Sequence, residues 1–563
     1  MADQTDYNKW TKSGLIQKLR QLETELQNRP APEPAPQPEA DDGPKEPTPG
    51  TTKPKVKRKM DPSKYATRYI ALKLAYLGKN YGGFEFQAHG NEPSIEEELW
   101  NALTKACLIF PEDEKIVDWE CCEYSKCGRT DRGVSAFGQV IGIRVRSNQP
   151  LPKKRVKLDE EGVESSASTA TEQGPNGAVE EQQEEIVKEK PFDPILDEIP
   201  YPRLLNRLLP SDIRILAWCP SPPPDFSARF SCRERQYRYF FTQPAFSPDP
   251  SSASAPVGNV KPGWLDIEAM RDAAKRFEGE QDFRNVCKID PAKLITNWSR
   301  RIFESDIVEV KDANTSLSYL KSAGFAPADV KDLSAGYPKV YYFHVRGSAF
   351  LWHQIRHMVA LLFLVGQGLE SPSIITDLLD VAKTPRRPNY VMADEVPLVL
   401  WDCIFPDLST GNDVPADGKF KDTLQWVNVG AEGASQGKSG QFGQWGVMDG
   451  MWQVWREKKM DELLANQLLQ QMATQIVTAA PSDSAAAVQQ GQGKAKGNNS
   501  VRLFEGGNTG RQGGKYVLVM KKDKLESADE LNDKYAKRKG YVDAADMRAQ
   551  KSSRMNIDEQ KEE

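Results

Sequence analysis

The sequence lacks the features of membrane-spanning and secreted proteins. Its longest uninterrupted apolar run, residues 358–365, is far shorter than the roughly 20 residues that a helix needs to cross a bilayer. The first residues are polar, which indicates that no secretory signal is present. The eight cysteines contain no pair spaced as C-x-x-C, so the sequence predicts neither a zinc ribbon nor a disulfide framework. We therefore expect an intracellular protein with no membrane partner.

Hydrophobic residues are also scarce, at 39% of the 563-residue chain. The scarcity is concentrated in segments rich in proline, glycine, glutamine or charge, and segments of this composition do not form a packed core. About 300 residues remain for a folded unit, which is enough for a sizeable core. The expected organisation is a mostly disordered arm with a short leucine-spaced helix (1–62), a first half of the folded unit (63–245) interrupted by a disordered acidic insertion (148–200), a second half (246–406), a Gly-rich loop (407–450), a helix (451–478) and a low-complexity, charged tail (479–563).

The net charge of −5 hides strongly basic segments. Lysines and arginines cluster at 53–59 and 153–157, and arginines cluster again at 229–238. A local basic surface decides nucleic-acid binding more than the total charge does. The basic runs could contact phosphates or direct nuclear import, so we expect the protein in the nucleus, the cytoplasm or both.

Hydrophobic periodicity in the folded unit predicts an α+β architecture. Ser94 and Glu97 form a capping-box pattern at the start of an amphipathic helix, and this helix lies between two alternating, strand-like segments. The same order recurs in the second half, which predicts two similar halves around an antiparallel sheet. The predicted strands are 69–76, 138–146, 302–310 and 340–346, and the predicted helices are 94–108, 265–277 and 350–364.

The segment 126–139, KCGRTDRGVSAFGQ, is a polar turn before an apolar strand. Glycines on both sides permit a sharp turn and a close approach by another molecule. Asp131 stands between Arg129 and Arg132, and neighbouring cations keep a carboxylate ionised. The turn is therefore a candidate active site, although small polar turns are also common in proteins without one.

The segment 225–239, DFSARFSCRERQYRY, mixes arginines with aromatic residues. A strand with this pattern could present cations to phosphates and rings to bases. The other interpretation is a strand with a charged outer face and an aromatic core face. The candidates for substrate binding here are Arg229, Arg235 and Arg238, together with Tyr237.

The segment 347–367 predicts an apolar helix that carries His353, Arg356 and His357. An arginine in such a helix is costly unless an anion compensates it, so Arg356 needs a carboxylate or a ligand phosphate. No acidic residue follows the two histidines at metal-ligand spacing. A structural histidine pair is favoured over zinc, and we expect no metal site.

These three segments, in this order, resemble the signature segments of the TruA-type tRNA pseudouridine synthases. YGGFEFQ at 81–87 and EVPLVLWD at 395–402 match the family as well, and the resemblance covers about 65–145 and 200–406. The phrase DFRNVCKID at 282–290 resembles the eukaryotic subfamily that modifies tRNA positions thirty-eight and thirty-nine, in the anticodon stem-loop.

The resemblance implies two RRM-like, ferredoxin-like halves that form a central antiparallel sheet, with helices on one side and a catalytic cleft between the halves. It implies that Asp131 is the catalytic carboxylate and that Arg356 pairs with it. It further implies that Tyr237 stacks on the uracil and that Arg129 enters the RNA to displace the target base. Arg132, Arg229, Arg235 and Arg238 complete the expected tRNA-binding set.

The implied reaction turns uridine into pseudouridine, so no atoms and no electrons are exchanged with a second molecule. We therefore expect no cofactor, a tRNA substrate and, by analogy with bacterial relatives, a homodimer. A non-catalytic RNA-binding protein with RRM-like halves is the main alternative, but it gives no reason for Asp131 between two arginines. A nucleoside hydrolase would release free uracil, and a scaffold role would not explain the centre of the chain.

Overall fold

A computed structural model gives the structure of the chain. The chain divides into two units, Met1–Lys59 and Met60–Glu563, and every described residue belongs to the second unit. The leucine-spaced helix and the basic runs at 53–59 and 153–157 lie outside the described residues. The structure describes residues 60–88, 91–113, 116–151, 191–248, 260–310, 338–407, 418–430, 447–478, 501–508 and 511–562.

The described residues form an α+β fold with a large, mostly antiparallel sheet, as predicted. The strands are β1 Ala66–Tyr76, β2 Ser125–Lys126, β3 Ser135–Ser147, β4 Ile213–Cys219, β5 Glu234–Gln243, β6 Gly279–Asp282, β7 Ser299–Glu309, β8 Lys339–Gly347, β9 Leu398–Ile404, β10 Val427–Asn428, β11 Val501–Leu503 and β12 Arg511–Gly513. The helices are α1 Ile95–Lys105, α2 Tyr201–Asn206, α3 Ile267–Lys275, α4 Gln354–Gly366, α5 Ile374–Leu379, α6 Val447–Thr478, α7 Ala528–Arg538 and α8 Ala544–Glu562.

The large sheet joins the two halves of the fold in the strand order β10-β4-β1-β3-β9-β5-β8-β7-β6, with β2 paired to β3. The pairs within each half are antiparallel, whereas β3 and β9 pair in parallel at Ser135↔Val399 and Ala136↔Leu400. Parallel strands begin at the same edge of a sheet. The segments that lead into β3 and β9 are therefore brought side by side.

The first half forms where its sequence pattern predicts it. Ser94 caps α1 through a complete capping box with Glu97, as the spacing indicated. Strands β1 and β3 pair antiparallel along most of their length. Their inward-facing side chains pack with Leu99 and Trp100 of α1 in one apolar cluster.

The second half is built around α4, whose thirteen residues are all buried. An apolar helix that is buried on every side belongs in a core rather than on a surface. Phe363 of α4 packs edge-to-face against Tyr239 and Phe241 of β5, so the helix covers this face of the sheet. The helix begins after His353, which has a positive φ of 59° and provides no side-chain cap.

The C-terminal tail differs from the expectation of a loose, charged segment. Phe504 is buried against Phe363, with ring centroids 4.7 Å apart. The Asp394 amide donates to the Glu505 carbonyl at 2.7 Å, and Val519 is fully buried in the second-half core. A few apolar anchors spaced among charged residues are thus enough to dock the segment. Composition averages over such anchors and does not reveal them.

Two other predicted loose segments are partly ordered. In the expected insertion, Glu198 is buried and accepts hydrogen bonds from Ser147 Oγ at 2.6 Å and from the Asn148 amide at 2.8 Å. In the expected Gly-rich loop, the short strand β10 pairs with β4 and forms the edge of the large sheet. No helix in the described ranges has the length and hydrophobicity of a membrane span.

Candidate active site

Asp131 lies in the loop between β2 and β3, and the loop is fixed on both sides. Gln139 is buried and forms two hydrogen bonds with the backbone of Gly128. The Tyr76 hydroxyl lies 2.7 Å from Thr130 Oγ1. The Phe84 amide donates to the Thr130 carbonyl at 3.1 Å. Because these partners are buried or in regular strands, the Asp131 carboxyl group has a defined position.

Two glycines allow the loop to approach its neighbours. Gly83 has a φ of +117°, and a Cβ there would meet the Thr130 carbonyl at 3.0 Å. Gly133 has a φ of +77°, and a Cβ there would meet Glu395 Cγ at 2.7 Å. Residues with side chains rarely adopt such backbone angles, so glycine is needed at both positions.

The parallel β3–β9 pairing places the turn before β9 beside the Asp131 loop. Glu395 lies in this turn, and its Oε2 atom is 2.6 Å from Arg356 Nη2. Arg356 Nε also donates to the Ala393 carbonyl at 2.8 Å. Arg356 does pair with a carboxylate, as its burial requires, but the partner is Glu395 rather than Asp131. The expected direct pairing of Arg356 with Asp131 is therefore wrong. The charge of Arg356 acts on the Asp131 carboxyl group over a longer distance instead.

Asp131 experiences opposing electrostatic effects. Burial raises the pKa of its carboxyl group above the usual value, and this effect prevails. The positive charge of Arg356 and a hydrogen bond from the Trp352 side chain lower the pKa. Glu395 raises it, and Lys288 lowers it. The site therefore holds a partly buried carboxylate with cations close enough to favour its charged form.

The side chain of His353 lies next to Asp131, with its Nε2 atom 3.4 Å from Asp131 Oδ2. Burial, together with the charges of Arg356 and Lys288, lowers the pKa of His353 to about 4. The imidazole is thus neutral at neutral pH. Its Nδ1 is buried and has no hydrogen-bond partner in the described part of the chain.

His353, which precedes α4, and His357 of α4 do not share a site. His357 Nε2 lies 3.1 Å from Arg387 Nη1, and its ring packs edge-to-face against Tyr390. His357 therefore has the structural role that the sequence favoured. His353 instead faces the candidate catalytic carboxylate.

Tyr237 lies in the central strand β5, opposite Val345 of β8 and Leu400 of β9. It packs against the apolar clusters of both halves. Its ring packs edge-to-face against the ring of Phe350, with the ring centroids 5.2 Å apart. Tyr76, which binds the Asp131 loop through Thr130, lies close enough to influence the pKa of Tyr237. Tyr237 is thus placed at the junction of the halves, beside the loop.

The arginines of β5 do not form one basic face, because successive residues of a strand point to opposite sides. Arg235 donates to three backbone carbonyls, those of Cys127, Arg229 and Ser348. Arg238 lies on the other side and stacks on Trp401, 3.6 Å from the ring centroid. The structure therefore gives Arg235 contacts that position backbone, not contacts directed to solvent.

The remaining predicted arginines are on the surface. Arg129 and Arg132 are exposed and form ion pairs with Glu85 and Glu92, respectively. Arg229 is exposed beside Phe230. Exposed ion pairs contribute little stability, so Arg129 and Arg132 can exchange their partners for other anions at low cost.

Comparison with known proteins decides the family. A family model described as tRNA pseudouridine synthase matches residues 273–406. The chain is 38% identical over 408 residues to the tRNA pseudouridine(38/39) synthase of Saccharomyces cerevisiae, covering 71% of this chain and 72% of the yeast protein. It is 38% identical over 404 residues to the human protein of the same name, covering 72% and 68%. The chain belongs to the tRNA pseudouridine synthase family.

More distant members of the family show the same likeness. Identity is 27% over 347 residues to the tRNA pseudouridine synthase A of Methanothrix thermoacetophila, covering 61% of this chain and 86% of that relative. The relatives confirm the family that the three signature segments indicated.

Three residues at the site of this family member were not singled out from the sequence. Glu395 and Lys288 occur in phrases that the resemblance included, but an acidic or basic residue in a turn has no distinctive pattern. Trp352 precedes α4, and its ring also receives Lys288 Nζ at 4.5 Å. A buried arginine in an apolar helix was the one available signal for Glu395, because it required a carboxylate somewhere in the fold.

The contact between Gly133 and Glu395 can be tested by Gly133→Ala. We expect a loss of stability larger than the about 1–2 kcal/mol that a left-handed backbone costs an ordinary residue, because the new Cβ also displaces Glu395. Gly540→Ala is the matched control, since Gly540 has a φ of +88° with nothing within 4 Å of a Cβ. Urea unfolding measures both variants, and equal losses would contradict the steric role of Glu395.

Proposed function

We propose that this chain converts uridine to pseudouridine at positions 38 and 39 of tRNA, in the anticodon stem-loop. The yeast and human relatives, both tRNA pseudouridine(38/39) synthases, support this substrate and these positions. The observation that carries the proposal is the partly buried Asp131 carboxylate at the junction of the halves, facing His353 and influenced by Arg356.

The reaction needs a carboxylate because the glycosidic C–N bond must break and the base must be held while it turns. Asp131 serves as the nucleophile, or as the anion that stabilises positive charge on the sugar. Carbon 5 of the uracil then bonds to the sugar, and any bond to Asp131 breaks. Carbon 5 loses its proton, and the former glycosidic nitrogen N1 gains one. The product is an isomer of the substrate, so the balance of atoms requires no redox step and no cofactor.

The target uridine must leave its stack before it can reach Asp131, and such base flipping costs a few kcal/mol. Tyr237 can offset part of this cost by stacking on the extruded base. Arg129 is exposed next to Thr130 and Asp131, so it can fill the place that the base vacates. Arg132 and Arg229 are exposed in the signature segments and are suited to phosphate contacts.

Replacement of the carboxylate tests the proposal directly. Asp131→Asn keeps the side-chain shape and removes the charge, so we expect product to fall to background while tRNA affinity stays within about tenfold. Asp529→Asn, at an exposed position on α7, is the matched control and should retain full activity. Carbodiimide mapping of tRNA from cells lacking the protein, complemented with each variant, measures the result. Pseudouridine formation by Asp131→Asn would favour a non-catalytic or differently placed role for this residue.

The pH dependence of the rate tests the electrostatic arrangement. Asp131 must be ionised, so activity is lost as pH falls through its pKa. Arg356→Gln removes a cation that lowers this pKa, and we expect its acid limb to move to higher pH. Glu395→Gln removes an anion that raises this pKa, and we expect its acid limb to move to lower pH.

Single-turnover rates across a pH series measure both variants. Shifts of the same sign in Arg356→Gln and Glu395→Gln would contradict the opposing roles of the two side chains. A shift in a Lys458→Gln control, on the exposed surface of α6, would show that the measurement reports general charge rather than the site.

We further propose that the protein acts as a homodimer. Resemblance to bacterial relatives supports this, and α6 exposes apolar side chains, including Trp452, Leu464 and Leu468, that a second copy could cover. Light scattering should give twice the chain mass of 63.1 kDa. A monomeric mass at micromolar concentration would rule the homodimer out.

A further inference from the structure

Three cysteines meet in the core next to the Asp131 loop. The sulfur atoms of Cys127, Cys232 and Cys403 all lie within 4.8 Å of one another. The three residues are 3%, 5% and 0% exposed. Sequence spacing does not reveal this cluster, because its members come from distant segments without metal-ligand spacing. The reaction proposed above makes no use of them.

The fold assembles the cluster from the same elements that build the active site. Cys127 immediately precedes Gly128 at the start of the Asp131 loop, and its amide donates to the Val140 carbonyl at 2.9 Å. Cys232 lies just before β5. Cys403 lies in β9, directly opposite Arg235 of β5. Each ligand is therefore held by a strand or by a bonded loop.

The charge of Arg235 points to an anion at this place. Its guanidinium group donates to carbonyl oxygens only, and it forms no ion pair with a carboxylate in the described part of the chain. Arg235 is half-buried, and a partly desolvated cation is favoured by a nearby negative charge. Its Nη2 donates to the Cys127 carbonyl at 3.0 Å and it lies opposite Cys403, so thiolate sulfur is the nearby counter-charge.

The three thiols are close enough together to bind one ion jointly. Thiolate is the form of cysteine that binds metal ions, and a metal ion deprotonates the thiols that bind it.

We propose that Cys127, Cys232 and Cys403 form a tris-thiolate site for one thiophilic metal ion, Zn²⁺ foremost. Zinc–sulfur bonds of about 2.3 Å separate the sulfur atoms by roughly 4 Å, a distance compatible with sulfur atoms that lie within 4.8 Å of one another. Binding of Zn²⁺ to three cysteines releases the thiol protons to solvent and leaves a net charge of −1. This charge matches the single positive charge of Arg235.

The role of such an ion is structural. It ties the start of the Asp131 loop, which leads into β3, to the neighbouring strands β5 and β9 across the seam between the halves. Arg235 reinforces the same junction through the Cys127 and Ser348 carbonyls. The ion takes no part in the isomerisation, so this inference stands or falls independently of the proposed function.

The test uses the full chain, expressed with added zinc and passed over a chelating resin. Elemental analysis should find one zinc ion per chain, and X-ray absorption at the zinc edge should show three sulfur neighbours at about 2.3 Å. Cd²⁺ added to the metal-free chain should give a thiolate-to-metal charge-transfer band that saturates at one equivalent. These measurements on the unaltered protein do not depend on any variant folding.

Variants then locate the ligands. Cys127→Ser, Cys232→Ser and Cys403→Ser should each lose the bound zinc, whereas Cys219→Ser and Cys287→Ser, which alter buried thiols elsewhere, should retain it. Circular dichroism confirms folding of each variant. An unaltered chain without zinc and without a saturating Cd²⁺ band would overturn the inference. A zinc ion without three sulfur neighbours, or one that survives all three ligand variants, would overturn it as well.

Discussion

The structure depends on keeping a negative charge at a place that is largely shielded from water. Burial opposes ionisation of Asp131. The charges of Arg356 and Lys288 and a hydrogen bond from Trp352 favour ionisation and offset part of this effect. The carboxylate also lies beside His353, which precedes α4, so the positive end of the helix dipole adds to this field. Glu395 limits the effect by pairing with Arg356. As a result, the ionisation of Asp131 depends on several opposing effects rather than on one direct ion pair with Arg356.

The parallel pairing of β3 and β9 supplies the geometry for this balance. It is the one seam between two halves that are otherwise built from antiparallel pairs in the described residues. Because both strands start at the same edge, the Asp131 loop and the Glu395 turn become neighbours although they are far apart in sequence. The central strand β5 adds Tyr237 and Arg235 at this junction. The guanidinium group of Arg235 links backbone segments here by donating to the carbonyls of Cys127, Arg229 and Ser348.

Much of the fold could be predicted from local patterns. The capping box at Ser94, the alternation in β1 and β3 and the apolar run of α4 each fix an element through short-range chemistry. The signature segments also predict Asp131, Tyr237 and Arg356 as site residues, and their roles stay predictions. It did not reveal which carboxylate Arg356 would contact, because that partner depends on the seam between the halves. The different contacts of the arginines on the two sides of β5 also depend on pairing between distant segments, and so does the cluster of three cysteines. The docking of the tail depends on single buried side chains such as Phe504.

The most direct test of the account is a cryo-electron microscopy structure of the Asp131→Asn chain bound to a tRNA whose uridine 39 is unmodified. The account predicts that this uridine is extruded from its stack and that the side chain at position 131 lies about 3–3.5 Å from the base or the sugar, the distance of reacting groups. It also predicts Tyr237 in contact with the base. A uridine that remains stacked, or one bound away from the junction of β3 and β9, would contradict the account.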